Sequence, residues 1–100
     1  MSLAPAAARD LDSIREWLTQ PGAGRAAAEV LFQILDAVDD VALAPFRWAP
    51  SRSHQGMRVR YVRGHAIIYE AEPDLPGTPI ENVDVLILRV FAPGQNRTDL

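Results

Sequence analysis

Residues 56–70 read Gly-Met-Arg-Val-Arg-Tyr-Val-Arg-Gly-His-Ala-Ile-Ile-Tyr-Glu, two β-forming runs on either side of Arg63-Gly64. Met57, Val59 and Tyr61 alternate with Arg58 and Arg60, the period of two that predicts a β-strand with one wet face. Arg63-Gly64 then separates it from His65–Glu70, a run rich in β-formers, and two residues with Gly second predict a tight hairpin turn. Downstream, residues 72–82 contain Pro73, Pro76, Gly77 and Pro79, too broken for regular structure. Val83–Phe91 follows, apolar on both faces apart from Asp84 and Arg89, which predicts a central or doubly covered strand. Upstream, Leu43–Gln55 is a loop holding Pro45 and Pro50, with Phe46 and Trp48 expected to be pinned against the core.

Towards the N-terminus the period changes. From Pro5 to Gln20, Ala7, Leu11, Ile14 and Leu18 recur on one helical face, with Pro5 suited to the first turn and Pro21-Gly22 closing the end. Ala27, Val30, Leu31, Ile34, Leu35, Val38 and Val41 repeat the pattern in a second helix, and the Pro-Gly-Ala-Gly link makes the two an antiparallel hairpin. The predicted fold is therefore α+β, one domain over residues 1–100, with a helical hairpin on one face of a small antiparallel sheet. Met1-Ser2-Leu3 is enough for a stub of edge strand.

The chain has 100 residues, 48% of them apolar and 23% charged, a globular composition at a length that holds one core. It has no Cys, so thiolate metal sites, disulfides and cysteine nucleophiles are excluded. No uncharged run approaches the ~20 residues of a membrane span, and Asp10 and Asp12 break the N-terminus where a signal peptide's apolar region would lie. A soluble, cytoplasmic protein is expected.

The net charge of −3 argues against a surface built to coat nucleic acid, and no sequence-specific nucleic-acid binding is expected. Its distribution is uneven: residues 43–71 hold Arg47, Arg52, Arg58, Arg60 and Arg63 against Glu70 alone, between two acidic flanks. Arginine's planar fork grips carboxylates at two points, so Arg58, Arg60 and Arg63 form a candidate surface for an acidic protein segment. Arg89, alone on an apolar strand, is expected to pair internally with a carboxylate such as Glu70. His54 and His65 lack partners at zinc-site spacing, so neither a metal nor another cofactor is expected. Asp39-Asp40 reads as a solvated helix end, and Ser51, Ser53 and His54 lie too close in sequence to form a catalytic triad.

Three segments resemble one family. Leu3–Leu18, with Leu-x-Pro-x-Ala-x-x-Asp-Leu opening the first helix, the hairpin Met57–Tyr69, and Ile87-Leu-Arg-Val90 on the last strand are similar to the ParE branch of the RelE/ParE toxin superfamily. The resemblance covers nearly the whole chain and implies an opening strand, two helices and a three-stranded meander. It also implies a bacterial type II toxin, non-catalytic, neutralised by a cognate ParD-like antitoxin and acting on DNA gyrase. Within it, the end of the chain has the implied role of touching the target, here Phe91, expected to be exposed, with Gln95, Asn96 and Arg97, which have no evident internal role. Departures from the family pattern are a short N-terminus, Ala66 where relatives often carry Arg, and a long acidic loop over 72–82.

Two other readings stand beside this one. The RelE cousins are ribosome-dependent mRNA endoribonucleases. Arg58, Arg60, Arg63 and Arg89 could supply phosphate-binding cations for that chemistry, with His65 as proton carrier, but the chain has no Lys, and neither Tyr nor His after Tyr69. A non-toxic protein-binding relative is the other.

Overall fold

The computed structural model describes residues 1–95. The elements run β1 (Ser2–Leu3), α1 (Pro5–Leu18), α2 (Gly24–Leu43), β2 (Arg58–Val62), β3 (His65–Glu72), a 3-10 turn (Ile80–Asn82) and β4 (Asp84–Phe91). The sheet order is β1-β4-β3-β2. β2, β3 and β4 form the expected antiparallel meander, and the stub β1 pairs in parallel with β4 at Ser2 opposite Leu86 and Leu3 opposite Ile87.

Pro5 opens α1 without a side-chain cap. At its far end the Thr19 hydroxyl donates to the Arg15 carbonyl at 2.7 Å, and Gly22, with φ 86°, supplies the left-handed backbone that starts the reversal into α2. The buried stripe Ala7 and Ile14 of α1 and Ile34, Ala37, Val38 and Val41 of α2 packs on Ile67, Tyr69, Val85, Ile87 and Val90 of the sheet. Each large aliphatic side chain removed from water there contributes roughly 1.5–3 kcal/mol, the main force holding hairpin to sheet.

β4 changes face partway along. Ile68 pairs with Arg89 but Tyr69 pairs with Ile87, so Leu88 is an extra residue, a β-bulge that shifts the alternation by one. Val85, Ile87 and Val90 thereby all face the helices, while Leu88 and Phe91 join Met57, Val59, Ala66 and Ile68 in a second, smaller cluster. The run that reads as apolar on both faces is thus a strand with a register slip between two clusters.

Two expectations are overturned here. The arginines of β2 do not form its wet face. Arg58 lies opposite Tyr69 and Arg60 opposite Ile67, on the helix side of the sheet, where the loop from Ala44 to Met57 laps over them. Phe91 is not exposed: only 1% of it is accessible, because the bulge turns it into the second cluster and the Arg89 guanidinium lies 4.5 Å from its ring centroid.

Candidate functional site

Arg58 and Arg60 are two apart on β2, so both reach into the space between the sheet and the 44–57 loop. Arg58 is nine-tenths buried. Its Nε and Nη2 donate to Asp74 Oδ1 at 3.1 and 2.9 Å, its Nη1 donates to the Trp48 carbonyl at 2.7 Å, and it stacks 5.3 Å from the Phe46 ring. Arg60 donates through Nη1 to Asp40 Oδ2 at 3.2 Å and lies 4.3 Å from the Trp48 centroid, whose other neighbour is Arg47 at 5.5 Å. Its Nε is sealed from solvent and has no partner among the described residues. Phe46 and Trp48 are thus half-buried lids on the two guanidiniums, and the loop is held to the sheet by cation–π contact as well as by apolar packing.

Asp40, though its side chain stays partly in solvent, is more than a helix end: the last turns of α2 bring it over β2, where it pairs with Arg60. The acidic loop after β3 does the same for Arg58 through Asp74. Beneath them the Tyr69 hydroxyl donates to the Pro45 carbonyl, tying β3 to the start of the loop. Burial pushes the Tyr69 phenol up to about 12, against the lowering pull of Arg58.

Arg63 is the exposed member of the three arginines assigned to a partner. It sits in the turn at φ 48° and donates through Nη1 to Gln33 Oε1 of α2 at 3.0 Å. The structure thus brings Arg58 and Arg60 together in a buried cluster and leaves Arg63 apart, at solvent.

Arg89 is paired inside the fold as expected, but with Asp10 instead of Glu70. Its Nε and Nη2 donate to the two oxygens of Asp10 at 2.7 and 3.1 Å, and Asp10 Oδ2 also accepts the Val90 N–H at 2.9 Å. The reason is the shortness of β1: it covers β4 only to Ile87, so the edge beyond is open, and a carboxylate from α1 takes the place of a strand's carbonyl there. Asp10 is a residue that sequence reasoning missed. Its trace is the Asp of the Leu-x-Pro-x-Ala-x-x-Asp-Leu segment.

Beyond Phe91 the chain turns at Pro93-Gly94, and Gln95 has an internal role after all: its Oε1 accepts the Ala92 N–H at 2.9 Å while its own N–H donates to the Ala92 carbonyl at 3.2 Å. Asn96 and Arg97 lie outside the described residues. Between α1 and this segment runs a groove of about 580 Å³, lined by Asp10, Ser13, Ile14, Trp17, Leu18, His65, Val90, Ala92, Pro93 and Gln95. Ser51 Oγ is spent on loop structure, accepting the N–H groups of Ser53 and His54 at 3.2 and 3.1 Å. Among the described residues no group of three or more His, Cys, Asp or Glu side chains is placed to hold a metal ion. No described helix is long and apolar enough to cross a membrane.

This architecture, a helical hairpin on one face of a meander with a parallel N-terminal stub, can be set against known proteins. The family model described as the ParE toxin of the type II toxin–antitoxin system, parDE, matches residues 1–96. The chain belongs to the ParE toxin family. Among solved structures, the chromosomal ParDE toxin–antitoxin system from P. aeruginosa matches with a TM-score of 0.64 at 17% identity, over 92% of each chain, a likeness of fold. No curated protein matches. As a ParE-family toxin the chain acts by binding protein and has a cognate antitoxin. The α+β layout read from residue periodicity is the one observed, and it agrees with the RelE/ParE-like layout that the resemblance implied.

Proposed function

We propose that this ParE-family chain inhibits DNA gyrase by direct binding and is held inactive by a ParD-like antitoxin encoded beside it. The family match over residues 1–96 carries the reading. The antitoxin's acidic segment would meet the sheet at Arg63, which is exposed, with Arg60 and Arg58 behind it. The internal pairs of Arg58 and Arg60 make them supports of that surface first, and contacts only where an incoming carboxylate replaces Asp40 or Asp74. The target would be touched by the end of the chain, Gln95 with Asn96 and Arg97. Phe91, being buried, anchors that end from below.

Expression of the chain alone in a bacterial host tests this reading. Growth arrest with filamentation and induced DNA damage is expected, relieved when the neighbouring antitoxin is co-expressed. Normal growth of cells that accumulate the folded protein would contradict it.

A further inference from the structure

Ala66 pairs with Phe91 at the end of the β3–β4 ladder, and the same register carried two residues on sets Gly64, in the β2–β3 turn, beside Pro93. The approach is close. A Cβ on Gly64 would lie 3.1 Å from Pro93 Cγ and 3.6 Å from Pro93 Cβ, the first well inside ordinary carbon–carbon contact. The φ of 77° at Gly64 favours glycine but is also open to Asn, whereas against the Pro93 ring every side chain must first push the ring away.

Pro93 belongs to the turn by which the chain leaves the sheet. Ala92-Pro93-Gly94-Gln95 has Pro first and Gly second of its central residues, with Gly94 at φ 80°, the pattern of a type II turn. Gln95 closes it twice: its N–H donates to the Ala92 carbonyl at 3.2 Å, and its Oε1 accepts the Ala92 N–H at 2.9 Å. Just upstream, Asp10 of α1 accepts the Val90 N–H at 2.9 Å. The exit is thus held to α1 through Asp10, closed on itself by Gln95, and seated on the neighbouring hairpin turn where Pro93 meets Gly64.

We infer that Gly64 is a positioning residue for the target contact: by leaving room for the Pro93 ring it sets the direction in which Gln95, and with it the end of the chain, leaves the sheet. This rests on the reading that the chain's end touches the target, and it holds whichever macromolecule that target is. A side chain at residue 64 would tilt the turn as a unit, because the two bonds between Ala92 and Gln95 keep it closed while Pro93 is displaced. The effect differs from general destabilisation, since it is confined to the exit and can be undone from the other side of the contact.

Growth inhibition per amount of soluble protein, urea midpoints and NMR of the Ala92 and Gln95 amides test this in the full-length chain. The variants are Gly64→Ala, Pro93→Ala, the two combined, and Ile34→Val, a buried change of comparable stability cost away from the exit. Gly64→Ala is expected to shift both amides and to weaken growth inhibition roughly fivefold or more, the loss of one well-placed contact at an interface. Ile34→Val should lower the urea midpoint while both amides and toxicity stay near those of the unaltered chain. Pro93→Ala alone removes the ring that rests on Gly64 and should lose an intermediate amount. In the combined variant the two Cβ atoms meet at 3.6 Å, an ordinary contact, so the amides and toxicity should return most of the way. Its urea midpoint should stay low, because the left-handed backbone at residue 64 remains strained. Toxicity that follows the urea midpoint through all four variants, amides unmoved by Gly64→Ala, or additive losses in the combined variant would overturn the inference. Normal growth with the unaltered chain would refute the reading beneath it, and the amide shifts would still decide whether Gly64 sets the turn.

Discussion

Asp10 is the residue on which the free edge of β4 depends. It holds Arg89 at two points and takes the Val90 N–H, with both charged side chains less than a fifth exposed. Removing one member of such a pair strands the other in a low-dielectric setting, and Asp10→Ala should cost about 2–4 kcal/mol in urea unfolding, well above the ~1 kcal/mol of a surface pair. A loss under ~1 kcal/mol would mean that water replaces the carboxylate freely. Tyr69 makes a second prediction at this scale. Its phenol titrates near 12 in the folded chain against 10.0 for the free side chain, so the folded state keeps a proton that the unfolded state gives up. The stability this contributes is complete below about pH 10 and is lost as pH rises through about 12. Tyr69→Phe should flatten that alkaline limb while costing about 1 kcal/mol at neutral pH for the lost bond to Pro45. Denaturant midpoints measured from pH 8 to 12 would show whether it does.

Among the elements, the β2–β3 hairpin was the most legible in the sequence and can be tested most simply. Arg63 and Gly64 both have positive φ, 48° and 77°, the twisted two-residue turn that matches the twist of the flanking strands. A Cβ on Gly64 would also sit 3.1 Å from Pro93 Cγ, so Gly64→Ala should destabilise the fold by about 1–2 kcal/mol in chemical denaturation. Arg63→Asn should be tolerated, since asparagine accepts this backbone more readily than arginine. The helices were legible too, because an apolar stripe every three to four residues has one interpretation. Other features were not. The alternation of Met57, Val59 and Tyr61 with Arg58 and Arg60 separates two faces but does not say which one the rest of the chain covers. Arginine can lie under aromatic lids, and Phe46, Trp48, Asp40 and Asp74 supply the lids and counter-charges from distant positions. The bulge at Leu88 left no compositional mark, and it is what buries Phe91. β1 is two residues long, too short for any periodicity, yet its shortness is why Arg89 finds Asp10 and not Glu70.

Taken whole, the molecule is a helical hairpin on a meander, with Arg63 exposed at the β2–β3 turn and the segment Ala92–Gln95 leaving the sheet beside a groove. A variant with Arg58 and Arg60 both changed to Ala would confound antitoxin affinity with folding, because Arg58 is buried in its pair with Asp74. Arg63→Glu separates the two: the fold should hold, and antitoxin association should slow at low salt, with an affinity loss of under about 1 kcal/mol if the contact stays at the rim. Ending the chain after Gln95 preserves the turn that Gln95 closes on Ala92, so folding and antitoxin binding should survive while growth inhibition is lost. Full toxicity of the shortened chain would move the target surface to Arg63 or the helices. Inhibition of gyrase by direct binding is measured by a supercoiling assay with purified gyrase, relaxed plasmid and the antitoxin-free protein. Dose-dependent loss of supercoiling is expected, restored by adding the antitoxin. Unimpaired supercoiling, together with position-specific cleavage of mRNA on translating ribosomes, would contradict it.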